Sequence, residues 1–283
     1  MTLILALAYK DGIVFASDSM ASMPTVTDVA TNQLVAVNYK FTKVRILGDN
    51  KLWAASGSTC IIQQFEKHLG VLQQKYPNFS FSNVNAMKEL RDGYAAILGD
   101  VYLNHKRIYG IPEEAILEKD QLPKADLPSA QVIIVGYDSV VGDSETLGRI
   151  FHLDTNGQSM FWERGYGFKA IGFEFIALLF LKQFKTIEYN KELARFEAYK
   201  YSKELACFIA YKVLADAITS SPNIGGPINI WTIDKESGRQ PLNETMLQNL
   251  DSTHNWWPAV ADEYFQRKVA ERLNSLSASQ SPY

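Results

Sequence analysis

The sequence predicts an α+β fold in which two β-sheets are sandwiched between helical layers. Three observations predict it. The chain opens with short apolar runs joined by Gly- and Asp-containing turns, two stretches of helical spacing follow, and strands, two further helical stretches and a last strand then come in that order. With 283 residues, 47% of them hydrophobic, the chain can fill a sizeable core.

Residues 2 to 8 (TLILALA) and 12 to 17 (GIVFAS) flank Tyr9-Lys10-Asp11-Gly12, so a β-hairpin comes first. After a polar stretch from Ala21 to Tyr39, KVRIL (43–47) and KLWAAS (51–56) predict a second hairpin around Gly48-Asp49-Asn50. Beyond Gly57-Ser58-Thr59 the period changes. Ile61, Ile62, Phe65, Leu69 and Leu72 share one side of a helix, and Val84 to Tyr102 repeats that spacing. A Pro-containing loop at 121–129 precedes strands at 131–137 and 149–154, and the latter turns at Asp154-Thr155-Asn156-Gly157. A helix is expected from near Phe173 to about Phe184, and a long one from about Asn190 to Ile218, ended by Pro222, Gly225, Gly226 and Pro227. INIWTID (228–234) is the expected final strand.

From Lys235 the composition turns polar, so the expected division is a domain at 2–234 and an extension at 235–283 with one helix, Pro258 to Leu276, and a Ser-rich tail. Trp256-Trp257 ahead of that helix either anchors it on the domain or meets another subunit.

Composition excludes several classes. A net charge of −3 offers no basic field for nucleic acid. The most apolar stretch, Ala170 to Leu181, is interrupted by Glu174 and is too short to span a bilayer, so no membrane association is expected. Lys10, Asp11 and Asp18 come too early for a signal peptide, which points to the cytoplasm. Cys60 and Cys207 lie far apart, and His68, His105, His152 and His254 have no ligand spacing, so neither a metal nor another cofactor is expected.

Four ordered blocks carry a family resemblance: TLILALAYKDGIVFASDS, KVRILGDNKLWAASGST, VGYDSVVGDSETLGRIFHLDTNG and GGPINIWTID. Together they resemble proteasome β subunits and the bacterial HslV-type protease. The resemblance implies a four-layer αββα sandwich of the N-terminal nucleophile (Ntn) hydrolase type, assembly as a homo-oligomeric ring or helical array, and a peptide or unfolded protein as substrate. It leaves open whether an unfoldase delivers that substrate.

It also implies a site. Thr2, exposed by loss of Met1, matches the family's nucleophile. A free N-terminal threonine suits that role because its hydroxyl attacks a carbonyl while its own α-amine, with a proton affinity near neutrality, takes the proton. Lys43 matches the catalytic lysine and Asp18 the aspartate that holds it, with Lys40 as the competing lysine. Gly57 matches the glycine whose N–H binds the oxyanion. Ala55 would floor the specificity pocket.

Two departures from the pattern stand out. Gly172-Phe173-Glu174-Phe175 replaces the family's glycine- and serine-rich turn, and Ser221-Pro222-Asn223-Ile224 stands where a supporting aspartate and serine belong. Ser221, Asn223 or Glu174 then substitutes, or the acyl substrate differs, or the chain is a non-catalytic scaffold. A carboxylate at Glu174 close to the α-amine would raise its proton affinity, and the alternative is a solvent-facing residue in a helix first turn. Threonine-type peptide cleavage is the leading reading, with acyl transfer to an amine (peptide ligation) and the scaffold as alternatives.

Overall fold

The computed structural model describes residues 2–22, 26–27, 34–35, 38–40, 42–108, 128–138, 148–162, 167–182, 184, 187–190, 195–198, 201–222 and 224–278. The first hairpin forms where the apolar runs place it. Strand β1 (Leu3–Tyr9) pairs with β2 (Gly12–Ser17) across a Lys10-Asp11 turn, with Tyr9 opposite Gly12 and Ile4 opposite Ser17. Three short strands of the polar stretch follow: β3 (Met20–Ser22), β4 (Val26–Thr27) and β5 (Leu34–Val35). β6 (Asn38–Lys40) then pairs back on β3, while β4 pairs with β5.

The second predicted hairpin is shorter on its first arm than expected. β7 holds only Arg45–Ile46, which leaves Lys43 outside the strand, and β8 runs over Lys51–Gly57. Helices α1 (Thr59–Lys75) and α2 (Val84–Ile108) come next, and the Asn83 side-chain oxygen caps α2 by accepting from Asn85 and Ala86 N–H at 3.1 Å each. Strands β9 (Ala130–Tyr137), β10 (Gly148–Leu153), β11 (Ser159–Trp162) and β12 (Phe168–Gly172) lead into helix α3 (Glu174–Leu181).

Here the structure corrects one expectation. The long helix expected from about Asn190 is instead a two-stranded hairpin, β13 (Ile187–Asn190) and β14 (Arg195–Ala198), followed by a shorter helix α4 (Lys203–Ser220). Apolar residues alternate in IEYN and RFEA, and that period of two prevails over the helix propensity of the surrounding Lys, Glu and Ala. Ser202 starts the real helix, its hydroxyl accepting from Leu205 N–H. β15 (Asn229–Asp234) is followed by a further strand, β16 (Gly238–Pro241).

The strands form two five-stranded antiparallel sheets, ordered β12-β1-β2-β15-β16 and β11-β10-β9-β8-β7. Side chains alternate across each strand, so one face of each sheet shares a single apolar cluster. Ile4, Phe15 and Ile171 from the first sheet pack there with Leu52, Ile133 and Ile150 from the second. The other face of the second sheet, through Trp53, Ile134 and Phe151, packs on α1 and α2 by way of Phe65, Leu69, Leu90 and Tyr94. Helix α4 covers β1 and β2, and α3 packs on α4 and β12. β1 is therefore covered on both faces, which is why the chain opens with an unbroken apolar run in place of alternation.

Residues Met1–Pro241 make one compact unit and Leu242–Tyr283 another. The second contains helix α5, which runs over Glu244–Ala278, longer than the expected span from Pro258. Asn243 starts it by accepting from Met246 N–H at 2.8 Å, and Pro258 lies inside it. Among the described residues no helix is long and apolar enough to cross a membrane.

Phe65 is fully buried, with Trp53 and Tyr94 edge-on at ring-centroid distances of 5.8 and 5.3 Å. Phe65→Ala should therefore lower the unfolding free energy by about 3–5 kcal/mol in denaturant titrations.

Candidate active site

β1 begins one residue after Thr2, at the open end of the hairpin, where Asp18 and Leu3 bond to each other. Asp18 directly follows β2. Its N–H donates to the Leu3 carbonyl at 3.2 Å, and its Oδ1 accepts the Leu3 N–H at 2.8 Å. The same Oδ1 accepts from Lys43 Nζ at 2.7 Å, while Oδ2 faces Gly225 N–H at 3.4 Å. Asp18 is fully buried and Lys43 nearly so. Charge-assisted bonds are the strong kind, and a buried carboxylate keeps its charge only with such donors around it. Burial pushes the Lys43 ammonium below its ordinary proton affinity, and the Asp18 charge and hydrogen bond act against that shift. Lys43 is thus the lysine that meets Asp18. The side chain of the competing Lys40 lies outside the described residues.

The opposite side of Thr2 is formed by the end of β12. Leu3 pairs with Gly172, and Phe173 N–H donates to the Thr2 carbonyl at 2.9 Å. Gly172 has a left-handed φ of 82°, and a Cβ there would collide with the Thr2 carbonyl and stand 2.8 Å from Ser56 Oγ. Its N–H donates to Gln131 Oε1 at 3.2 Å. Ser56 and Gln131 belong to β8 and β9, so the two sheets meet at this glycine.

Gly57 ends β8 with φ 123°, and a Cβ there would strike the Ser129 carbonyl. Close backbone packing already requires glycine at this point. Ala55 is buried in the cluster that joins the second sheet to α1 and α2. Ser221 is buried at the C-terminal end of α4, its carbonyl accepting from Ile224 N–H at 3.3 Å. The turn that follows reaches the site through Gly225, whose carbonyl accepts from both Ser19 and Met20 N–H. Met1 and Asn223 lie outside the described residues.

No protein-family model matches the chain, and no curated protein matches it. Solved structures do. Anbu (ancestral beta-subunit) from Yersinia bercovieri aligns with a TM-score of 0.58 and 14% identity over 93% of this chain and 96% of its own. The Anbu (Gly-1) mutant from Hyphomicrobium sp. strain MC1 gives 0.59 and 12% over 94% and 97%. Anbu from Pseudomonas aeruginosa, solved as a helical assembly, gives 0.61 and 15% over 94% and 96%. The chain shares the Anbu fold. This corrects the resemblance drawn from the sequence blocks: the structural likeness is to Anbu subunits, a family distinct from the proteasome β subunits and HslV. The blocks mark a proteasome-like fold that these families hold in common, and at such identities the fold is what is shared.

Within this Anbu-like fold the most informative unexpected residues are Lys169, His152, Ser56 and Gln131. Lys169 on β12 points the same way as Ile171, toward the second sheet, and its Nζ lies 2.7 Å from Glu174 Oε1. The Glu174 carboxylate is therefore an ion-pair partner, neither bare beside Thr2 nor simply solvent-facing. His152 on β10 is buried, with neither ring nitrogen hydrogen-bonded. Burial first, and then the Lys169 charge, push it down to about 4, against Asp154 and Glu174, which raise it. A lone Lys, His or Gln in an apolar strand gives no local sequence signal. Only the pairing of distant strands gathers them here.

His152 stays neutral in the fold while an unfolded chain would protonate near its ordinary value. Stability is therefore fully present above about pH 6.5 and falls as pH drops toward 4, by roughly 3 kcal/mol for this group. His152→Leu should flatten that part of the stability–pH curve, measured by urea unfolding between pH 7 and 4.5.

Proposed function

We propose that this chain is an amide-cleaving enzyme of proteasome-like fold whose nucleophile is Thr2, freed by removal of Met1. One observation carries the reading. Asp18 binds both the Leu3 N–H and the Lys43 ammonium, which fixes a buried cation on the carboxylate that holds the residue after Thr2.

In the proposed reaction Thr2 Oγ attacks the carbonyl carbon as its proton passes to the Thr2 α-amine, with Lys43 favouring the unprotonated amine and the developing alkoxide. Gly57 N–H faces the oxyanion, while Ala55, packed in the core against α1 and α2, is not assigned a pocket role. The amine hands its proton to the leaving nitrogen, the C–N bond breaks, and a threonyl ester forms. Water then adds to the ester and releases the acid. The substrate class is a peptide or unfolded segment. No step needs a metal or other cofactor.

The four-layer αββα arrangement, with a catalytic domain over 2–234 and an extension over 235–283, belongs to the same proposal. So do a cytoplasmic location and a homo-oligomeric assembly. The Pseudomonas aeruginosa protein of the same fold is a helical assembly, which supports self-association here. Light scattering of the purified chain tests that point, and a monomer at micromolar concentration would exclude it.

Thr2→Ala should lower peptide cleavage by at least about a thousandfold while circular dichroism stays unchanged. Lys43→Ala should fall nearly as far, with an additional loss of about 3–5 kcal/mol in stability because Asp18 is left buried and unpaired. Full activity in the Thr2 variant would place the nucleophile elsewhere. A chain with mass-confirmed N-terminal Thr2 that neither cleaves peptides nor labels with a threonine-directed electrophile would instead be a scaffold.

A further inference from the structure

The charged groups around Thr2 form two pairs of opposite sense. On the Asp18 side the carboxylate holds the Leu3 N–H, with Lys43 beyond it. On the β12 side Phe173 N–H holds the Thr2 carbonyl, and the next residue, Glu174, carries a carboxylate fixed at 2.7 Å by Lys169. Lys169 reaches Glu174 from the sheet interior: its strand position is opposite Ala6, and its ammonium is almost buried. Glu174 keeps about a third of its side chain exposed.

We propose that Lys169 and Glu174 are positioning residues for the Thr2 α-amine: Glu174 favours its protonated form, Lys169 the neutral form, and the pair together keeps it a competent base. The inference rests on the Thr2 reading. It accounts for the Gly-Phe-Glu sequence at a turn where the amine needs a polar neighbour. A carboxylate alone there would hold the proton on the amine, and Lys169 offsets that charge.

Among the described residues, the other charged groups around the pair do not supply such a balance. On the Thr2 side stand Asp18 and Lys43, which neutralise each other. Across the sheets from Lys169 are His152 and, beyond it, Asp154, and His152 is neutral above about pH 4. On α4, which packs against α3, Lys212 and Asp216 are paired with each other at 2.7 Å. Among the described residues, the Lys169–Glu174 pair is left as the adjustable charge beside residue 2.

The test reads the amine directly and needs no turnover. The full chain is released with Thr2 first by cleaving an N-terminal fusion, and its α-amine is acetylated with limiting acetic anhydride between pH 5 and 10. The N-terminal peptide is then quantified by mass spectrometry. Relative to the parent chain, Glu174→Gln removes the carboxylate charge beside the amine and should lower the amine midpoint by about one pH unit. Lys169→Met leaves Glu174 uncompensated and should raise it by about the same. One unit is a tenfold change in the protonation equilibrium. The double variant should return to within a few tenths of a unit.

A structural role for the pair would disturb both single variants in the same direction or leave the midpoints unmoved, and either result overturns the proposal. Lys169→Gln, which keeps polarity, gives the same sign as Lys169→Met and serves if that variant folds poorly. The two readings fail separately. Unmoved midpoints together with an inactive Thr2→Ala chain reject only the positioning role, whereas an active Thr2→Ala chain rejects the nucleophile whatever the midpoints do.

Discussion

One buried carboxylate fixes the candidate site. Asp18 receives a backbone N–H from the start of β1, an ammonium from the segment before β7, and faces an N–H from the turn that follows α4. These come from parts of the chain as far apart as Leu3 and Gly225. An ionised carboxylate is suited to the task because it only accepts, and its two oxygens offer about four acceptor sites. Withdrawing Asp18 and Lys43 from water is costly, and their attraction offsets that cost only where the remaining acceptor positions are filled. Here backbone N–H groups fill them. The pair is therefore better understood as setting the position of residue 2 than as adding to the stability of the domain.

The second constraint is the meeting of the sheets at Gly172. Its left-handed backbone lets the Thr2 carbonyl and Ser56 Oγ approach where any side chain would intrude, and its N–H is held by Gln131. The end of β12 is thereby fixed against both sheets, and the helix after it starts at a set position. That is why Glu174 directly follows the residue that holds the Thr2 carbonyl, while the apolar residues after it serve packing or remain exposed. Phe175, Leu178 and Leu179 are exposed, whereas Ala177 and Leu181 are buried.

Much of this was legible in the sequence, for reasons that are local. The first hairpin followed from two apolar runs around an Asp-Gly pair, and the pairing of Asp18 with Lys43 was implied by the family resemblance of the two blocks that carry them. What was not legible depends on strands distant in sequence. Lys169 meets Glu174 only because β12 ends beside β1, and Gln131 meets Gly172 only because the sheets stack. The segment 187–198 was expected to continue a helix because its Glu, Lys and Ala residues favour one. Its alternation of apolar residues carried the opposite signal over a span too short to stand out. The family assignment erred because turns and glycine positions report the fold before they report the family, and the fold is what the chain shares with the Anbu structures.

The two ion pairs differ in their exposure to water, and this difference bears on their work. Asp18 and Lys43 lie in the interior, where salt screens them little. Glu174 keeps contact with solvent while Lys169 approaches it from the core, so the field it exerts is partly screened. A neutral hydroxyl at this turn would orient an amine by hydrogen bonding alone. A carboxylate orients it and also shifts its proton affinity, and Lys169 is the residue placed to offset that shift. The cost of putting a lysine between two apolar sheets is consistent with this role: position 169 faces Ala6 on one side and a neutral histidine across the sandwich, surroundings in which an aliphatic residue would pack more favourably. What the fold supplies in return is the Glu174 carboxylate, 2.7 Å from its ammonium.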